Sequence, residues 1–169
     1  EVAVRIATTE ELELYCDRVA SAVGRLSVRV FGVPEDLGIK LAFAQGQALQ
    51  LTNILRDIHE DMGRNRVYLP QNLLMSHSIK TDDLNAVIAH PALAEVCEIL
   101  SRIAQQRYIE VRALIKQCDR DAVRPAIMMM EVYSRIFQKL TKRGWIKLTK
   151  PVGLTKFEKI WIAVRYGFF

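Results

Sequence analysis

Apolar residues recur at three- and four-residue steps along most of the chain, which is the period of an α-helix. Leu12, Tyr15, Val19, Ala22, Val23, Leu26 and Val30 form the first such series. It follows Thr8-Thr9-Glu10-Glu11, where Thr8 and Glu11 have the spacing of a capping box, and it ends at Phe31-Gly32-Val33-Pro34. A second series holds Leu37, Leu41, Ala44, Ala48, Leu51, Leu55, Ile58 and Met62. It opens after Pro34 with Glu35 and Asp36, acids that suit the positive end of a helix dipole, and it fades around Gly63 to Asn65. Val67-Tyr68-Leu69-Pro70 reads as extended chain, because a residue before proline avoids the α region. Short helices are expected from Pro70 to Leu74 and after Thr81-Asp82-Asp83. Long ones are expected from Pro91 to about Cys118, with Ile103 and Ile109 on the inner face, and from Arg124-Pro125 to Gly144. A second capping box, Thr155 with Glu158, opens a last helix towards the carboxyl end. There is no alternating pattern of useful strand length and no internal repeat. The pattern predicts an all-α fold, one domain over residues 1–169, with long helices packed around an interior.

Composition agrees with a globular domain. Half of the 169 residues are apolar and a quarter are charged, and 24 Lys+Arg against 19 Asp+Glu give a net charge of +5. These values exclude a disordered tail and a disulfide-rich miniprotein. The mild positive excess suits a polyanionic ligand or an acidic membrane surface. No nucleic-acid-binding motif accompanies it, so nucleic acid is not expected as a partner. Cys16, Cys97 and Cys118 lack CxxC spacing and read as buried or half-buried thiols of a reducing compartment. No apolar run approaches the ~18 residues that span a bilayer, and no signal peptide is seen. A cytoplasmic protein is expected. The chain opens at Glu1 without Met, as a fragment, a processed form or a trimmed form would.

The chemistry concentrates between Gln50 and Pro70. Asn53, Asp57 and Asp61 are spaced i, i+4, i+8, which stacks them along one face of a helix, and Gln50 joins that face. Two carboxylates and an amide oxygen at one-turn intervals are a row of hard donors. Mg²⁺ takes one or two carboxylates and completes its shell with water and phosphate oxygens. Such a row therefore makes half a site, and a diphosphate would supply the rest. Arg56, Arg64 and Arg66 lie around the same turns and can hold phosphate through paired N–H donors. The alternative is a solvated charged face in which Arg64 offsets the repulsion between Asp57 and Asp61. The spacing alone does not decide between the two.

The wider sequence carries a resemblance. Gln50-Leu-Thr-Asn-Ile-Leu-Arg-Asp-Ile-His-Glu-Asp61, followed by Arg66-Val-Tyr-Leu-Pro70, resembles the second aspartate-rich motif of the squalene/phytoene synthase family. Tyr15-Cys-Asp-Arg-Val-Ala-Ser-Ala-Val-Gly24 is similar to that family's other signature helix, and Arg124-Pro-Ala, Tyr133 and Gly144-Trp145 to its carboxyl-terminal pattern. Leu26-Ser-Val-Arg-Val-Phe-Gly32 looks most like the bacterial presqualene diphosphate synthases of the hopanoid route.

The resemblance implies an isoprenoid-synthase bundle around a central apolar cavity. It also implies head-to-head joining of two farnesyl diphosphates into presqualene diphosphate, with Mg²⁺. A phytoene synthase using geranylgeranyl diphosphate is the alternative within the family. A non-catalytic scaffold of the same fold is the alternative outside it. By the same resemblance Asn53, Asp57 and Asp61 hold Mg²⁺–diphosphate, while Gln50, Arg56 and Arg66 line that site. Tyr15 and Tyr133 stand at the reaction centre, and Gly24, with Ala20 and Val23, leaves room for the prenyl chains.

Three departures from the family pattern qualify it. No earlier aspartate-rich motif precedes Tyr15, so the chain reads as the carboxyl-terminal part of a larger prenyltransferase domain, its amino-terminal helices missing and no turnover expected of it alone. Asn65 stands where the family has Gly, and Asn tolerates a left-handed turn. Pro151 occupies a position that is usually basic, and Lys150 is the expected substitute. Finally, Lys139 to Arg165 holds eight basic residues and one acid, with Trp161, Ile162, Val164, Tyr166, Phe168 and Phe169 interleaved or following. This segment predicts either peripheral contact with the inner face of a membrane or an apolar face docked on the core.

Overall fold

The computed structural model describes residues 3–167. In chain order its elements are β1 (Val4–Arg5), α1 (Thr9–Cys16), a π-helical turn (Asp17–Ser21), α2 (Ala22–Val30), α3 (Glu35–Gly63), β2 (Arg66–Val67), α4 (Gln71–Ser76), α5 (Leu84–Ala89), α6 (Leu93–Ile115), α7 (Arg124–Arg143) and α8 (Lys156–Gly167). The all-α expectation holds, and Phe168 and Phe169 lie outside the described residues.

α3 is the axis of the molecule. Its 29 residues span ~43 Å, and it packs most heavily on α6 and α2, then on the π turn and α7. Leu41, Ala44, Ala48, Leu51, Leu55, Ile58 and Met62 are buried along it, as their period requires. Small residues on α3 let neighbouring backbones come close. At Gly46 an added Cβ would lie 2.4 Å from Ser21 Oγ and 2.6 Å from Ser21 N, so only glycine fits.

Both capping boxes form. Thr8 Oγ1 accepts from Glu11 N at 3.2 Å, while Glu11 Oε2 accepts from Ala7 N at 2.6 Å, one residue earlier than the motif requires. Thr155 and Glu158 bond reciprocally, at 3.2 and 2.7 Å. Gly32 (φ 74°) and Gly144 (φ 76°) end α2 and α7 in the left-handed region. The thiols of Cys16, Cys97 and Cys118 are free, the first two buried.

Three expectations are corrected. The first helix runs unbroken from Thr9 to Val30 but is not α-helical throughout, because a π turn intervenes after Cys16. A π turn takes one residue more than an α turn, so everything beyond it is rotated out of the phase that the apolar spacing assumed. Leu12 and Val28 are core residues, but Val19, Val23, Leu26 and Val30 are exposed. Second, a minimal parallel pairing exists, with Val4 against Arg66 and Arg5 against Val67. Two residues are too short to leave an alternating signature. Third, Ile103 and Ile109 lie on the outer side of α6.

Candidate functional site

α3 carries the oxygen row. Asn53, Asp57 and Asp61 are all half-buried, as is Gln50. Ile54, Leu55 and Ile58 between them, and Met62 just after, are core residues, which fixes the rotation of the helix and holds the row at the edge of the interior. The three donors are in different states. Asn53 Oδ1 is buried and accepts no hydrogen bond among the described residues. An amide oxygen taken from water with nothing in exchange costs ~1–3 kcal/mol. Asp57 is gripped by Arg56, Nε to Oδ1 at 2.7 Å and Nη2 to Oδ2 at 2.6 Å, the forked pairing that guanidinium makes with carboxylate. Asp61 has its pKa raised, first by burial and then by the negative charge of Asp57, with Arg66 opposing.

The turn after α3 delivers Arg66 to this row. Asn65 takes φ 59°, so the left-handed turn expected of it forms. Its N–H donates to the Met62 carbonyl at 3.0 Å. The Arg5 guanidinium donates to Asn65 O at 2.8 Å and to its Oδ1 at 2.5 Å, and the chain then pairs with β1. Val67 and Leu69 are buried, so the alternation of extended chain puts Arg66 and Tyr68 on the other side. There they share a small recess with Asp61. Arg64, by contrast, pairs with exposed Glu60 at 2.8 Å and stays on the solvent side.

Tyr15 meets this end of the row. Its ring lies 5.0 Å from that of Tyr68, at 31°. Burial raises its hydroxyl pKa most, Tyr68 and Asp61 add to it, and the phenol keeps its proton. Tyr133, on α7, is half-buried and within electrostatic reach of Arg56 and Tyr108. Tyr108 and Thr52 are a polar pair that the sequence reading missed. Their hydroxyls are 2.8 Å apart and buried, and Thr52 Oγ1 also donates to Ala48 O at 2.7 Å. A signal was present, since Thr52 falls on the buried side of α3, where a hydroxyl needs a partner.

An apolar groove of about 240 Å³ runs between α2, α3 and the start of α7, with Ala20, Val23, Gly24, Ala42, Leu49 and Met129 among its walls. A Cβ at Gly24 would come within 3.1 Å of Ala42 Cβ, so glycine permits the helix contact and keeps that wall low. Leu49 lies one turn before Asn53, which makes groove and row successive stretches of one helix. Lys150 is placed differently from these. It is exposed, in a separate cleft with Lys139, Lys142, Arg143 and Lys147, where its carbonyl accepts from Arg143 Nη1 at 2.8 Å. His59 is exposed, away from any ligand set.

Among the described residues no three His, Cys, Asp or Glu side chains cluster to hold a metal. The row offers instead two carboxylates and one amide. An orphaned amide oxygen and a carboxylate whose ionisation is disfavoured are both relieved by a divalent cation that prefers hard oxygen donors, so the residues fit Mg²⁺ as half of a site.

Comparison with known proteins follows the same lines. The family profile described as squalene/phytoene synthase matches residues 2–158. The chain is 45% identical over 164 residues to the presqualene diphosphate synthase of Rhodopseudomonas palustris, covering 97% of this chain and 59% of that protein. It is 35% identical over 156 residues to the phytoene synthase of Thermus thermophilus, covering 92% of this chain and 53% of that one. In fold it is similar to the crystal structure of a dehydrosqualene synthase in complex with ligand, with a TM-score of 0.77 at 23% identity over 96% of this chain and 58% of that chain. It thus spans a little over half the length of the relatives it matches.

Proposed function

The chain belongs to the squalene/phytoene synthase family, and we propose that it serves a head-to-head prenyltransferase that condenses two farnesyl diphosphates to presqualene diphosphate with Mg²⁺. The observation that carries this reading is the row itself: Asn53, Asp57 and Asp61 half-buried on α3, one of them with an orphaned oxygen, directly following an apolar groove wall. The likeness of Leu26–Gly32 to the bacterial presqualene diphosphate synthases favours the shorter substrate. All three donors are present, which favours an enzyme over a scaffold.

In this reading Asn53, Asp57 and Asp61 hold the cation, which supplies Lewis-acid stabilisation of the departing diphosphate. Arg66 and Arg56 donate to phosphate oxygens, and Gln50 lines the same site. Tyr15, protonated, orients the diphosphate through its O–H. The ring faces of Tyr15 and Tyr133 stabilise the allylic cation formed when the C–O bond breaks. That cation adds to the double bond of the second substrate, and loss of one proton closes the cyclopropane. The groove walls, Gly24 included, take the prenyl chains and keep water from the cation. Lys150 lies in the separate basic cleft and is given no contact with the row. The substrate and product are greasy, and we place the protein on the inner face of a membrane as a peripheral enzyme.

The test is calorimetry with a farnesyl thiodiphosphate, which ionises too slowly to turn over. Binding is expected with Mg²⁺ and not with EDTA, and Asp57→Asn should weaken it by ~10-fold or more, ~1.4 kcal/mol. Equal affinity in EDTA, or in Asp57→Asn, refutes the reading. Tighter binding of the geranylgeranyl analogue would move the assignment to a phytoene-type substrate.

A further inference from the structure

α8 has two apolar faces. Ile162, 1% exposed, packs the helix inward, where α7 is its main neighbour. Phe157, Ile160, Trp161 and Val164, spaced i, i+3, i+4, i+7, are 84%, 61%, 50% and 47% exposed. At 100° per residue these four fall within an arc of about 100°, and Ile162 lies well outside it. The sequence allowed an apolar face docked on the core; in the structure the longer stripe faces outward.

Its surroundings are basic. Lys156 and Arg165 are exposed and border the arc on either side, and the Arg135 guanidinium of α7 stacks on the Trp161 ring at 4.2 Å. Between Lys139 and Arg165 the one acid is Glu158, and Lys139 Nζ neutralises it at 2.7 Å. An apolar stripe flanked by cations, with the local carboxylate already paired, complements a surface that is negative throughout and apolar just beneath. Tryptophan beside basic residues is the composition of helices that lie in the headgroup region.

We propose that this face of α8 docks on an anionic lipid surface, with Phe157, Ile160, Trp161 and Val164 entering the headgroup–acyl boundary and Lys156 and Arg165 meeting lipid phosphates. The proposal rests on the peripheral placement given above. Vesicle binding is read separately from diphosphate binding, so each can fail without the other.

The experiment is co-sedimentation of the protein with vesicles of phosphatidylcholine alone and of phosphatidylcholine mixed with phosphatidylglycerol. Binding is expected to the mixed vesicles only, and it should weaken as salt shortens the Debye length. Each basic residue near such a surface contributes about fivefold in partition, so Lys156→Glu/Arg165→Glu should lower binding by ~10-fold or more. Phe157→Ser/Ile160→Ser should lower it comparably, with an unchanged thermal melt. Should the apolar pair disturb folding, the charge-reversed pair, at exposed positions, remains decisive. Wild-type protein that stays in solution with anionic vesicles overturns the proposal, as do variants that bind like wild type. So does a dimer that dissociates in Phe157→Ser/Ile160→Ser while vesicles go unbound, since the occupant would then be a second copy of the chain.

Discussion

Asp61 shows how the row is poised without a cation. Burial and the charge of Asp57 raise its pKa above the ordinary 3.8, so the folded protein holds that proton more tightly than the unfolded chain does. A raised carboxylate favours folding below its ordinary pKa, and that advantage is lost as pH rises through the folded value. At neutral pH the metal-free protein therefore carries an ionised Asp61 at some cost, moderated by Arg66 and by the partial exposure of the group. Asp61→Asn should raise the melting temperature in EDTA at pH 7.5 by ~1 °C and flatten the fall in stability with rising pH. With Mg²⁺ and diphosphate the order should reverse, the wild type gaining more than the variant. Melts under both conditions check this. At this scale the sequence was legible where chemistry follows local spacing. The i, i+4, i+8 interval identifies Asn53, Asp57 and Asp61 as one row because helix geometry needs only their order. The orphaned state of Asn53 Oδ1, the pairing of Thr52 with Tyr108, and the stacking of Tyr15 on Tyr68 join residues far apart in sequence, and spacing cannot show them.

Helix extents followed from caps and periodicity, and the phase of the first helix did not. Thr8, Thr155, Gly32 and Gly144 mark ends through interactions within a few residues. The π turn answers a contact across the fold, where Ser21 backbone lies against Gly46 of α3, and Ser21 Oγ reaches Phe43 O at 3.4 Å. That turn sits inside the Tyr15–Gly24 signature, beginning two residues after Tyr15, and Arg25 braces it by donating to Asp17 at 2.6 Å. Gly46→Ala should therefore do more than an ordinary glycine substitution in a helix. Its Cβ would meet Ser21 N and Cα at 2.6 and 2.7 Å, and backbone cannot yield as a flexible side chain can. A loss of ~2–3 kcal/mol is expected in urea unfolding, against the small gain that alanine gives in an open helix. An unchanged midpoint would mean that α3 and the π turn are less tightly apposed.

At the scale of the whole molecule, α3 links the functions proposed for it. Its first half lines the apolar groove, its second half carries the oxygen row, and its last turn passes through Asn65 to aim Arg66 back at Asp61. The all-α architecture was readable from period alone. The groove was foreseen only as small residues on α2, because its opposite walls come from α3 and α7. α8 stands apart from α3, with its exposed stripe on the outside. In the proposed site Asn53, Asp57 and Asp61 grip a divalent ion together with diphosphate. Mn²⁺ accepts the same hard oxygen donors and is visible by electron paramagnetic resonance as the free ion. Titrating the protein into Mn²⁺ with inorganic diphosphate should deplete the free-ion signal below the diphosphate-only control for the wild type and leave it at the control level for Asp57→Asn/Asp61→Asn. A wild-type titration that matches the control, or a double variant that depletes the signal as the wild type does, would contradict the account.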